Sequence, residues 1–285
     1  MRLTAATPTC RSVPAPAGRI GRAAIRALYS ELALYPKPGL VSPVDTGSHN
    51  DMDMTTFMRS LFALRGYFSG IAAAGAEDAD FGILQTLGIA AERRMLTATG
   101  GVNTHRGAIF CLGLLAAAAG WRHARGLSIS RLDLGRTVAA RWGDQIQAAA
   151  SLSESHGQQV ARRYGAGGAR REAAMGFPTL HEIAVPELCS ALDRSGCARR
   201  ASVQTLFAIM AVLDDTNLLH RGGMAGLTFV KEAAGRFLDR GGVFRSDWEA
   251  EAIALHQACV ARHLSPGGAA DVLATAWFVH ALSEG

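Results

Sequence analysis

The sequence predicts an all-α protein, a single multi-helix bundle whose functional loops sit at helix ends. Hydrophobic residues make up 49% of the 285 residues and charged residues 19%, which supports a sizeable core and excludes a disordered chain. Alanine, the best helix former, occurs 52 times, whereas there are 4 tyrosines, and the residues that favour strands are sparse. No segment alternates apolar and polar residues as a half-buried strand would.

Each element follows from spacing. An apolar stripe of Ile20, Ala24, Ala27, Leu28 and Leu32 predicts a helix over 18–34, stopped near Tyr35-Pro36. The prolines at 36, 38 and 43 keep the next segment extended. Phe57, Leu61, Leu64 and Phe68 resume helical spacing, and further helices are expected over 80–98, from Asn103 to about 120, and over 130–150. A glycine-rich stretch over 156–178 reads as a connection between two halves. Val203, Leu206, Phe207, Met210 and Leu213 mark another helix. Trp248, Ala252, Leu255 and Cys259 mark the next, preceded by a capping box of Ser246 and Glu249. Ser265 and Pro266 read as the N-cap and first residue of a final helix to about 282. Residues 1–17 are expected to form a flexible tail and 18–285 one helical catalytic domain.

The net charge is +5, and all the cations except Lys37 and Lys231 are arginines. This suits an anionic small molecule, which guanidinium binds in a bidentate manner. No basic stripe interleaved with aromatics points to nucleic acid. Cysteines 10, 111, 189, 197 and 259 show no paired spacing, so neither a disulfide framework nor a zinc site is expected, and a reducing cytoplasm fits. The longest apolar run, 107–120, is too short to span a bilayer, and residues 1–17 lack the apolar core of a secretory signal. The alanine-rich helix faces permit a homodimer.

Chemistry concentrates in a few segments. Residues 36–53 hold Lys37, Ser48, His49 and the carboxylates Asp45, Asp51 and Asp53. Oxygen donors in a loop suit Mg²⁺ shared with phosphates, and Asp51 or Asp53 also suits a helix cap. Residues 99–107 combine a Gly-Gly turn with Asn103, His105 and Arg106; residues 213–223 combine Asp214 and Asp215 with Asn217, His220 and Arg221. Both carry His-Arg-Gly ahead of an apolar helix, where free N–H groups and the positive dipole end favour an anion. Arg170 lies in the glycine-rich stretch, which matches neither a Walker A loop nor a Rossmann fingerprint. In residues 264–271, helix-start chemistry accounts for Ser265 and Pro266, and Asp271 is left over.

Five segments in register resemble the triphosphoribosyl-dephospho-CoA synthase family: Glu31 to Val41, Gly47 to Met52, Gly101 to Gly107, Asp215 to Gly223 and Leu264 to Asp271. The likeness covers about 22–282. It implies an all-α enzyme that joins the triphosphoribosyl group of ATP to the 2′-hydroxyl of 3′-dephospho-CoA and releases adenine. The product is the prosthetic-group precursor for the acyl-carrier subunit of malonate decarboxylase or citrate lyase, which a downstream carrier-protein transferase attaches. Residues 35–42 and 48–53 look closer to the malonate branch. Mg²⁺ is the implied cofactor, held with ATP by Asp45, Asp51 and Asp215. Asp51, His49, Asp215 and His105 are the implied catalytic groups. Lys37, Ser48, Asn103, Arg106, Arg170, Asn217, His220 and Arg221 are the implied substrate-binding residues. Two rival readings remain: Asp214-Asp215-Thr216 resembles the metal motif of ADP-ribosylglycohydrolases, and a non-catalytic assembly factor would merely bind the carrier.

Overall fold

The computed structural model describes residues 15–152, 163–165 and 167–284. Among them there are helices and no strands, as predicted. Most of the tail expected over 1–17 lies outside the described residues; Ala15 already belongs to the first helix.

Helix α1 (Ala15–Leu32) buries the stripe Ile20, Ala24, Ala27, Leu28 and Leu32. The single helix expected around Phe57 to Phe68 is two, α2 (Met54–Leu64) and α3 (Tyr67–Ala76), which meet at Gly66. Asp53 caps α2 in a capping box with Thr56, and Asp80 caps α4 (Phe81–Ala98) through the Ile83 N–H. Each satisfies an orphan donor at a helix start.

The central element is α5 (Arg106–Ala124), buried almost without interruption from Ala108 to Gly120. It is long and apolar enough to cross a membrane, but 67% of its apolar window is covered by the bundle. Small residues explain the tight packing against α3. A Cβ on Gly75 would lie 2.0 Å from the Ala117 carbonyl oxygen, and one on Gly120 would lie 1.9 Å from that of Ala72. Helices α1 and α4, then α6 (Asp133–Leu152) and the C-terminal helix, complete the shell around it.

Of the glycine-rich stretch expected as a connection over 156–178, residues 156–162 and 166 lie outside the described residues. Its described part contains α7 (Gly168–Ala174), and a π-helical turn (Thr179–Ala184) follows and leads into α8 (Val185–Ser195). Next come α9 (Ala198–Val212) and α10 (Thr216–Asp239), the latter broken at Gly223 by φ 59° and ψ −159°. A 3₁₀ turn (Gly242–Phe244), α11 (Trp248–Ala261) and α12 (Gly267–Ser283) end the chain.

Two expected caps are absent. The residue at the start of α11 is Asp247, without a side-chain cap. Asp247 pairs with Arg245 and Glu249 with Arg199, so ion pairs draw both carboxylates away from the helix start. At α12 the cap position is Pro266, and Ser265 bonds His49 instead. The Ala269 N–H in the first turn of α12 is satisfied from outside the helix, by Asp215.

Candidate active site

The N-termini of α5, α10 and α12 meet the C-terminal end of α1, the 37–52 loop and α7 around a cleft of about 1030 Å³. Three positive dipole ends on one cavity favour anions there. Of the predicted residues, Lys37, His49, Asn103, His105, Arg106, Arg170, Asp215, Asn217, His220 and Arg221 line it. Asp45, Ser48 and Asp51 do not.

The acidic groups are arranged differently from the sequence expectation. Asp45 faces away to His256, with Oδ2 3.0 Å from Nε2. The Asp51 side chain is 62% exposed and lies 3.7 Å from His49 Nδ1. Of the two carboxylates suited to cap α2, Asp53 does so and Asp51, two positions earlier, does not. Asp215 is fully buried: Oδ1 accepts the Asn217 N–H at 2.8 Å and Oδ2 the Ala269 N–H at 3.0 Å. One carboxylate therefore caps both α10 and α12. Burial raises its pKa while those N–H groups pull it down. The Asp45, Asp51 and Asp215 triad is thus not assembled. Among the described residues no three His, Cys, Asp or Glu side chains gather as a metal-holding group.

Lys37 is also committed elsewhere. Its ammonium donates to the Glu31 carboxylate at 2.7 Å, to the Glu31 carbonyl at 2.9 Å and to the Leu32 carbonyl at 3.5 Å. It closes the C-terminus of α1 and has no donor left for a phosphate. Ser48 donates to the Leu264 carbonyl at 2.6 Å, which fastens the loop to the chain ahead of α12. Asn103 caps α5 by accepting the Arg106 N–H at 3.2 Å. Arg106 itself pairs with Glu92 at 3.1 Å. Arg221 donates to the Ser48 and His263 carbonyls and to His49.

Among the described residues, three buried polar atoms on or beside the cleft have no partner: Thr104 Oγ1, His105 Nε2 and Arg170 Nη1. Buried polar groups are normally satisfied, so these three fit a ligand that completes them. His105 Nδ1 lies 2.7 Å from Ser60 Oγ, which orients the ring. Burial, with the charge of Lys37, lowers His105 to about 3, so the imidazole is neutral at ordinary pH. Arg170 sits over the Phe110 ring, and burial lowers its pKa.

The residue left over in the last segment, Asp271, lies half-buried in the cleft wall. Asp271 lies so close to Gly107 that a Cβ there would be 1.9 Å from Oδ2. Burial raises its carboxyl well above the usual range, and Glu31 and Asp215 add to that. His256, which by sequence reads as a surface or core histidine and not a ligand, is buried, with Nδ1 2.8 Å from the Lys37 carbonyl oxygen. It occupies the same stripe of α11 as Ala252 and Cys259, and that buried register was its one visible signal.

Fold and site together define an all-helical protein whose polar cleft is directed at an anion by three helix ends. Residues 17–285 match the family described as ATP:dephospho-CoA triphosphoribosyl transferase. The chain belongs to that family and is a transferase. A relative from Klebsiella pneumoniae, named 2-(5''-triphosphoribosyl)-3'-dephosphocoenzyme-A synthase, is 41% identical, covering 96% of this chain and 94% of its own. One from Acinetobacter calcoaceticus, named a probable synthase of the same kind, is 39% identical over 92% and 90%. One from Pectobacterium atrosepticum, named as that synthase, is 41% identical over 89% and 86%. No solved structure matches.

Proposed function

We propose that this chain transfers the triphosphoribosyl group of ATP to the 2′-hydroxyl of 3′-dephospho-CoA and releases adenine. The observation that carries this reading is the set of unpartnered buried atoms, Thr104 Oγ1, His105 Nε2 and Arg170 Nη1, at a cleft of transferase-family lineage. The reaction breaks the bond between adenine and ribose C1 and forms a bond from C1 to the 2′-oxygen, whose proton must leave. The triphosphate is retained, so its groups need holding and not cleaving. Arg170 and Arg106 are our candidates to hold the phosphates. His105 replaces Asp51 as our candidate for the 2′-hydroxyl proton. When Nδ1–H donates to Ser60, Nε2 is a bare acceptor inside the cleft, whereas Asp51 lies outside its lining. The Asp215 carboxylate in the cleft wall favours positive charge developing at C1.

Among the described residues no carboxylate cage for Mg²⁺ is formed. The ion is therefore expected to arrive on the ATP triphosphate, since it keeps several waters and shares its shell with phosphates, and no step here runs through it. We assign the product to the malonate decarboxylase carrier on the wording of residues 35–42 and 48–53.

Incubation with ATP, Mg²⁺ and dephospho-CoA tests the reading. Adenine release that requires dephospho-CoA is expected. Hydrolysis of ADP-ribose would instead support a glycohydrolase, and carrier binding without turnover an assembly factor. Offering the product and the downstream carrier-protein transferase to both carriers decides the branch.

A further inference from the structure

Arg221, His49 and Ser265 form a chain of hydrogen bonds whose direction is fixed. Arg221 Nη2 lies 3.1 Å from His49 Nδ1. A guanidinium has donors only, so Nδ1 accepts and carries no proton. The single proton of the neutral ring is then on Nε2, 2.9 Å from Ser265 Oγ, and Ser265 accepts it. Burial and the charge of Arg221 hold His49 down, to about 4, against the opposing pull of Asp51, so the ring is neutral at neutral pH. Its tautomer is set by Arg221 at 3.1 Å, since Asp51 at 3.7 Å is beyond hydrogen-bond distance. His49 cannot serve as a base toward Ser265 in this arrangement, because an Nδ1–H would face the guanidinium donor to donor.

The hydroxyl proton of Ser265 is thereby left over. The Ser265 hydroxyl makes no other hydrogen bond among the described residues; only the Ser265 backbone carbonyl is otherwise engaged, by the Gly267 N–H. It does not cap α12, whose Ala269 N–H is taken by Asp215. It is buried and lines the cleft, as does His49. Its neighbours are the first turns of α10 and α12, which approach so closely that a Cβ on Gly267 would lie 2.9 Å from Asn217 Nδ2.

We propose that Ser265 is a substrate-contacting residue whose hydroxyl donates to a phosphate oxygen at the end of the directional chain Arg221 to His49 to Ser265. His49 is a positioning residue in this scheme, not a proton acceptor. That the phosphate belongs to ATP or to dephospho-CoA rests on the proposed function; the direction of the chain does not.

The test uses the full-length protein, with binding of ATP, dephospho-CoA and inorganic tripolyphosphate measured by calorimetry beside adenine release. Ser265→Ala should weaken one substrate about 10–100-fold, the range for a lost charge-assisted bond. Loss confined to ATP and tripolyphosphate places the contact on the triphosphate; loss confined to dephospho-CoA places it on the diphosphate. His49→Gln should retain binding within about threefold, since an amide accepts from Arg221 and donates to Ser265. His49→Ala should match Ser265→Ala, and the two together should add little more. Unchanged binding of all three ligands by Ser265→Ala overturns the proposal. So does a His49→Gln protein that binds normally but does not turn over, because His49 would then move a proton. Long-range ¹⁵N–¹H spectra of the wild type read the tautomer without any variant: an Nε2–H ring is expected, and an Nδ1–H ring overturns the chain. A wild type that shows the expected tautomer and binds tripolyphosphate yet never releases adenine refutes the transferase reading alone.

Discussion

Two segments that read alike, 103–107 and 217–222, are put to different uses. In the first, His105 is the residue before α5, Arg106 opens the helix, and Gly107 lies against Asp271. The histidine there is sealed in, with one ring nitrogen on Ser60 and the other unpartnered. In the second, His220 and Arg221 lie inside α10, just before the backbone breaks at Gly223. Arg221 reaches out to the 48–49 loop and to His263. The first copy builds the cleft wall, and the second fastens the loop that closes its side. A His-Arg-Gly triplet thus has no fixed role; its position relative to the helix start decides what each side chain meets.

The glycines test this contrast most severely. Gly107→Ala places a methyl group 1.9 Å from Asp271 Oδ2, so the carboxyl must leave its place in the cleft wall. A loss of about 3 kcal/mol in denaturant stability and near-complete loss of adenine release are expected. Gly222→Ala meets only a methyl group of Leu264, at 2.5 Å, and gains helix propensity, so its stability should change by less than about 1 kcal/mol. Equal effects of the two would erase the distinction.

Acid should expose the sealed histidine next. His105 is lowered to about 3 from the ordinary 6.5, so the unfolded chain takes up this proton first. Stability from the neutral ring is complete above pH 6.5 and is lost as pH falls toward 3. The advantage of wild type over His105→Gln should therefore shrink across that window in urea titrations. Asp271, whose raised pKa acts in the opposite sense, is common to both proteins and cancels in the difference. A gap independent of pH would show that the ring is not held neutral.

The arginines separate recognition from fastening. Arg170→Ala should weaken nucleotide binding about 10–100-fold at unchanged stability, because its buried Nη1 has no partner to lose among the described residues. Arg221→Ala should weaken binding and also lower the melting temperature, since it strands the Ser48 and His263 carbonyls. Arg106→Ala, half-exposed beside Glu92, should do less than either. Identical melting curves for Arg170→Ala and Arg221→Ala would contradict the division. The smallest effect is expected from Asp51→Asn. An exposed carboxylate 3.7 Å from His49 contributes at most about 1 kcal/mol, and adenine release should stay within about twofold of wild type.

Much of this architecture was legible in the sequence because helices report themselves locally. The stripe from Ile20 to Leu32 and the apolar run after Arg106 define buried faces by spacing alone. The segments that converge on the cleft were recognisable too, since His, Arg, Asp and Gly cluster in the order a phosphate-handling site needs. The roles within the cluster were not legible. Lys37 reads as a phosphate ligand until the end of α1 claims it, and Asp215 reads as a metal ligand until two helix N-termini claim its two oxygens. Ser265 reads as a cap until Asp215 takes that duty and frees its hydroxyl.

The sequence by itself determined an all-helical bundle, the family and the segments that line its cleft, because periodicity and motif order are properties of neighbouring residues. The tertiary structure decided which donor meets which acceptor. Asp215 reaches Ala269, His49 reaches Ser265 and Asp271 lies on Gly107, all across separations no local pattern encodes. A hydrogen bond needs its partner within about 3 Å and correctly aimed, and only the packing of the helices brings those atoms to that distance.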